Sequence, residues 1–366
     1  MNMKKRLLAM ILALCLMLSL TACDSVDEVE AAIAAIGTVT MESGDAIQSA
    51  KLQYDSLSQS QKEQVENADV LHAAVAEYAR LTAALDTAVN AINAIGFVDL
   101  NSGDAIALAR MAYDALEADG LTDYAADYAP VLIQAEESYA MMYVEKAYKD
   151  ATSMYDLGDY ANAEVTLADA VSRFPNAPKT PQCKELAASC VAKIAKDMFN
   201  HNDVENAYYT LVDGEALYGA TDETQAVLSN VIAALTSRRP VNTVLKTSLV
   251  SGKGQFTVNA SDFDACIKLE STKDPSKYML FYVRAGETYT VYVPDGSYVV
   301  KYTTGEYWFG LDSLFGRNAT FTQADDIFTF ETTTSGGYIY YDSITITLYT
   351  VVDGNLETND ISADEF

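Results

Sequence analysis

Thiols, imidazoles and paired carboxylates are the side chains here whose chemistry depends most on spacing. Cys23 follows Leu20-Thr21-Ala22 directly, at the end of an uncharged apolar run. Cys183 and Cys190 stand seven residues apart; on a helix that is about 10.5 Å of rise, beyond disulfide reach. Cys15 lies in the apolar start and Cys266 in the last third. A metal site needs closer Cys/His spacing than this, and His72 and His201 each stand alone, so buried thiols and surface imidazoles are expected. Asp262, Asp264 and Asp325-Asp326 lack the glycine and terminal glutamate of a calcium loop. HExxH, GxSxG and glycine-rich phosphate loops are absent from the sequence, and no histidine neighbours a nucleophile. Tyr307-Trp308-Phe309-Gly310 and Leu314-Phe315-Gly316 interrupt a strand pattern and carry the only tryptophan. Exposed, Tyr307, Trp308, Phe309 and Phe315 form a recognition patch for sugar rings or peptide side chains; buried, they plug the open end of a β layer.

The start of the chain sets the compartment. Lys4-Lys5-Arg6 precedes an uncharged apolar run over 7–20, the layout of a secretory signal, and the run is short for a membrane span. Leu20-Thr21-Ala22-Cys23 at its end resembles the bacterial lipobox. That resemblance implies cleavage before Cys23, a diacylglycerol thioether on its sulfur and acylation, palmitate for example, of its new amino group, which together give stable attachment. Beyond that covalent lipid no cofactor is expected. Lys+Arg total 24 against 52 Asp+Glu, a net charge of −28. A nucleic-acid partner is excluded, since it needs a basic footprint, and anionic headgroups repel the rest of the chain.

Residues 29–83 and 88–144 align as a duplication. Ala35-Ile36-Gly37 recurs as Ala94-Ile95-Gly96, and Ser43-Gly44-Asp45-Ala46-Ile47 as Ser102-Gly103-Asp104-Ala105-Ile106. Each unit reads as three helices, with Gly37 stopping the first, Ser43 capping the second, and Val70, Leu71, Val75, Tyr78 and Leu81 on the third. Nothing breaks the third helix before Gly96, so it runs on as the first helix of the next unit. The pattern resembles three-helix modules of Gram-positive surface proteins, whose tandem copies act as spacers or ligand-binding stalks. From Val144 the period changes. Leu157-Gly158-Asp159-Tyr160 with Ala163, Ala170, Phe174 and Pro175 resembles half of a tetratricopeptide repeat, and Asn202-Asp203-Val204 with Ala207 echoes it 44 residues later. Such helix pairs offer a concave face to peptides, or simply pack closely through alanine.

Ser237-Arg238-Arg239-Pro240 ends the helical part, and beyond it come β-branched and aromatic runs over 255–259, 265–270, 278–283, 288–293, 298–303, 327–332 and 339–349. Tyr289, Val291 and Val293 alternate with Thr288, Thr290 and Tyr292, so one face is buried. The hairpin around Pro294-Asp295-Gly296 resembles those of transthyretin-like and carboxypeptidase-regulatory-like sandwiches of bacterial surface proteins. The expected architecture is an α+β multidomain chain, tandem three-helix bundles and tetratricopeptide-like pairs before an antiparallel β-sandwich. Its parts are a signal (1–22), two three-helix modules (23–87 and 88–143), a helical segment (144–236), a linker (237–244) and the sandwich (245–366). The expected role is a non-catalytic binding or scaffold lipoprotein, lipid-anchored on the extracytoplasmic face of the cell membrane, with a protein, peptide or glycan partner at the envelope. An envelope-polymer hydrolase or its accessory subunit is the alternative.

Overall fold

A computed structural model of the chain describes residues 25–349 and 357–366; Cys23 and the apolar run before it lie outside them. The chain is an α+β multidomain protein, helical first and β-structured last. It divides into two compact units between Glu145 and Lys146. Among the described residues no helix is long and apolar enough to cross a membrane.

In the first unit, α1 (Val26–Ala34), α2 (Gly44–Ser56), the short α3 (Gln59–Lys62) and α4 (Ala68–Ile95) enclose one core. The far half of α4 joins α5 (Gly103–Ala118) and the start of α6 (Ala129–Asp156) around another. Ile33, Ile47 and Leu71 centre the first core, and their repeat counterparts Ile92, Ile106 and Leu132 centre the second. A third cluster, with Leu81, Leu116 and Leu121, seals one module against the other. The recurring Ser-Gly-Asp has a steric cause. A Cβ on Gly44 would sit 2.4 Å from the Tyr78 hydroxyl, and one on Gly103 2.5 Å from that of Tyr139, so the duplication preserves both members of each contact. Ser43 does not cap α2 as its position suggests. It already has helical backbone angles inside a preceding 3₁₀ turn, and its Oγ accepts instead from the Thr40 N–H at 2.9 Å. Ser102 does the same for Asp99 at 2.9 Å. Val70 and Val131, which helical spacing offers to the core, are exposed, and Leu71 and Leu132 beside them fill it.

In the second unit, α7 (Tyr160–Arg173), α8 (Thr180–Asn200), α9 (Val204–Tyr218) and α10 (Asp222–Arg238) follow one another through short turns. Their contacts are lined by buried Ala163, Ala170, Ala187, Ala195 and Ala207, whose small side chains let the backbones approach. The turn before α7 places Gly158 at φ +82°, and 44 residues on Asn202 adopts +65° before Asp203 begins α9. Asparagine tolerates the left-handed region better than most residues, so the echo survives loss of its glycine. Thr221 opens α10 by accepting from the Thr224 N–H at 3.2 Å, and Thr224 returns the bond.

The β part is a two-layer sandwich. Strands β1 (Thr243–Thr247), β2 (Gly254–Ala260), β3 (Ala265–Ser271), β4 (Tyr278–Val283), β5 (Glu287–Val293) and β6 (Gly296–Thr304) come first. They are followed by β7 (Thr320–Phe330), β8 (Thr332–Ser335), β9 (Tyr338–Tyr341), β10 (Ser343–Leu348) and β11 (Thr358–Asp360). One layer has the order β1-β4-β3-β6-β7-β11 and the other β10-β2-β5, while β8 and β9 form a separate ribbon. Phe256, Val258, Ile267, Phe281, Val291 and Phe330 lie between the layers, fully or nearly fully buried. Pairing is antiparallel except between β10 and β2, which run parallel.

Several strand limits differ from the sequence reading. The run 339–349 is broken at Asp342, whose side chain accepts from the Glu331 N–H at 2.7 Å and so splits ribbon from sheet. The strand expected at 327–332 begins at Thr320, because an alternating Thr-Phe-Thr-Gln stretch already pairs with β6. The linker shortens to 239–242, with α10 running to Arg238 and β1 starting at Thr243.

Candidate functional site

The aromatic insertion lies between β6 and β7 and does not present its rings to solvent. Side chains alternate along an extended stretch. Trp308 (7% exposed) and Phe315 (2%) turn to the outer face of the six-stranded layer and pack on buried Tyr282 and Cys266. Ring centroids of Tyr282 and Trp308 are 5.2 Å apart and those of Trp308 and Phe315 5.3 Å, both edge to face. Tyr307 and Phe309 turn the other way, onto α9. Tyr307 meets Tyr208 at 5.2 Å, and Phe309 meets Tyr208 at 5.7 Å and Tyr209 at 5.4 Å. Arg317 stacks over Tyr209, 4.1 Å from its centroid, and pairs with Asp213. The four aromatics are thus brought together as a wedge between sheet and helix. As a recognition patch they are corrected: a platform for sugars needs open ring faces, and these are covered by Tyr208, Tyr209 and Tyr282.

Beside this wedge a cleft of about 370 Å³ opens at the end of α10, walled by Leu235, Phe263 and Trp308 with Arg239, Asp264 and Glu306 at its polar side. Its volume falls within the range of small-molecule pockets. The Asp264 carboxylate accepts from Arg239 Nε at 2.6 Å, from the Tyr282 hydroxyl and from the Ala285 N–H at 2.8 Å. Burial alone would raise its pKa, but these donors outweigh it and hold the carboxyl below its ordinary 3.8. Burial together with the Asp264 charge pushes the Tyr282 phenol well above its usual range. Arg284 completes the network by donating to the carbonyls of Pro240 at 2.7 Å and Arg239 at 3.2 Å. Arg239 Nη2 donates to the other Asp264 oxygen, and these four donors take up the roughly four lone-pair positions of the carboxylate. Sequence proximity put Asp264 beside Asp262; the fold instead commits it to Arg239, which only tertiary packing brings near. Tyr307 on the cleft wall is pushed up to about 12, first by burial and then by the Glu306 carboxylate. The cleft therefore sets the Tyr307 phenol beside the closed Arg239–Asp264 ion pair.

A second charged cluster sits on the outer face of the same layer. Glu270 receives Lys268 Nζ at 2.8 Å and Lys301 Nζ at 3.3 Å, and Lys301 also donates to the Glu365 carbonyl at 2.7 Å. Burial would raise the Glu270 pKa, and the two ammonium groups turn the shift downward. The final strap, β11 and residues 361–366, is held onto the sheet by these contacts and by the Phe321–Phe366 ring pair at 5.5 Å.

In the first unit a cavity of about 530 Å³ is lined by Ile92, Phe97, Val131, Met141 and Met142. Asn93, Gln134 and Ser138 add polar groups to this mainly apolar wall, and Phe97 beside them is 91% exposed. Cys183, Cys190 and Cys266 are all buried. Burial pushes the Cys190 thiol up to about 12 and Cys266 higher still, so neither forms the nucleophilic thiolate at neutral pH. His72 is exposed on α4, and His201 is exposed at the C-terminal cap of α8. No family model matches the chain, and neither does any curated protein or solved structure.

Proposed function

We propose that the chain is a membrane-anchored extracytoplasmic lipoprotein acting as a non-catalytic binding or scaffold module at the cell surface. One observation carries this reading: the order of the first 23 residues, basic start, uncharged apolar run, then Leu20-Thr21-Ala22-Cys23. The lipid on Cys23 would supply the membrane contact, because a chain of net charge −28 gains none from anionic headgroups. The site chemistry supports binding over turnover. The carboxylate beside the cleft is occupied by Arg239 and Tyr282, and Cys190 and Cys266 are held as thiols.

The test is fractionation of producing cells. Wild-type chain should sediment with membranes and partition into detergent, and Cys23→Ala should be released or retained only as uncleaved precursor. Firm attachment of the cleaved variant would place the anchor elsewhere. For the second half of the proposal, the chain is incubated with peptidoglycan and peptide substrates. Turnover abolished by one carboxylate or serine substitution would establish the envelope-hydrolase alternative in its place.

A further inference from the structure

The three-stranded layer, β10-β2-β5, turns one face away from the core of the sandwich. Parity along β2, β5 and β10 sends Phe256, Val258, Val291 and Ile346 inward, and the residues between them outward. Register aligns the outward side chains in three rows. Ser343, Gln255 and Tyr292 form the first; Thr345, Thr257 and Thr290 the second; Thr347, Asn259 and Thr288 the third. At about 4.8 Å between strands and 6.8 Å between rows the grid measures about 10 by 14 Å, the footprint of a short oligosaccharide.

Three properties separate this grid from an ordinary solvated sheet face. It carries no charge, although 21% of the residues of this chain are charged. Its polar groups hold one another in place. The Thr257 and Thr290 hydroxyls share a bond at 2.8 Å, Thr288 Oγ1 donates to Asn259 Oδ1 at 2.7 Å, and Asn259 Nδ2 donates to Thr347 Oγ1 at 3.1 Å. Tyrosines bound it. Tyr292 is 54% exposed, Tyr341 is 46% exposed and accepts from Gln255 Nε2 at 3.4 Å, and Tyr349 is 39% exposed beyond the far end of β10.

We infer that this face binds a neutral polysaccharide chain. Oriented hydroxyls and amides match a ligand that is itself a row of hydroxyls, and tyrosine rings accept the apolar faces of pyranose rings. The grid offers a cation no carboxylate, the charge of the whole chain disfavours an anion, and an apolar ligand would leave the hydroxyls unpaired. The inference rests on the binding-module reading above and supplies its ligand class.

The test is native electrophoresis of the full chain, in a detergent without sugar headgroups, through gels cast with laminarin, soluble starch, hydroxyethylcellulose or glycol chitin. Wild type should be retarded in at least one gel. Tyr292→Ala should raise the dissociation constant about tenfold. Thr257→Val with Thr290→Val should do so with an unchanged melting temperature. Leu157→Ala, 86% exposed in the other part of the unit, should match wild type. Migration unaffected by all four polymers, or retardation that survives both face variants, would overturn the inference. Neither result touches the anchor, which stands or falls on the Cys23→Ala fractionation.

Discussion

One carboxylate, that of Asp264, joins the end of the helical region, strand β4 and the turn at Ala285. Its side chain is 13% exposed and that of Arg239 38%, so the pair is stronger than a surface ion pair and weaker than a dry one. Asp264→Asn keeps the shape and removes the charge, and should lower stability by about 2 kcal/mol at neutral pH in denaturant titration. The pH dependence has a definite sign. A folded-state pKa held below 3.8 stabilises the protein above that value, and the contribution is lost as pH falls through the lowered folded value. The gap between wild type and Asp264→Asn should therefore be constant above about pH 5 and close below pH 4. A gap that widened in acid would reverse the assignment.

Among the elements, the duplicated modules were the most legible from sequence, because both members of a steric contact recur. Gly44 meets Tyr78 and Gly103 meets Tyr139 in copies read from identical letters. Gly44→Ala should cost about 1–2 kcal/mol by overpacking. In a Tyr78→Ala background the same change should be neutral or stabilising, since alanine exceeds glycine in helix propensity by up to about 1 kcal/mol. Equal cost in both backgrounds would remove the steric explanation. Other elements were less legible for physical reasons. Strand β1, which follows Pro240, is only five residues long, too short for its alternation to register. The break at Asp342 is invisible in an apolar run, because it depends on a hydrogen bond from the Glu331 N–H, between β7 and β8. Alternation in β5 did show Thr288, Thr290 and Tyr292 sharing a face, but the rows on β2 and β10 that complete the grid depend on register, which is tertiary. Burial of Trp308 and Phe315 was undecidable locally for the same reason. Their insertion is wedged against α9, about a hundred residues earlier in the chain, where Arg317 reaches Asp213.

At the scale of the second unit, the β-sandwich is not a free head on a linker. Tyr307 and Phe309 pack on Tyr208 and Tyr209, Arg317 pairs with Asp213, and Arg239 pairs with Asp264. Cleavage at Arg238 or Arg239 requires opening these contacts, since Arg238 also donates to Asn202. Residues 146–366 should thus melt in a single calorimetric transition, while Phe309→Ala with Asp213→Ala should split it in two and expose Arg238 and Arg239 to trypsin. Two transitions already present in wild type would show the halves to be independent.

The parallel pairing of β10 with β2 has a kinetic side. Ser343 aligns with Gln255, so nearly ninety residues must be in place before the last strand can dock, whereas β2 and β5 meet across a much shorter separation. Long loops close slowly and their contacts form late. The hydroxyl grid is consequently completed later than the β2–β5 pairing on which it is built. The rows of the grid are acquired one strand at a time, first where β2 meets β5 and then where β10 joins them, so protection of the β10 amides from hydrogen exchange would mark the completion of this face.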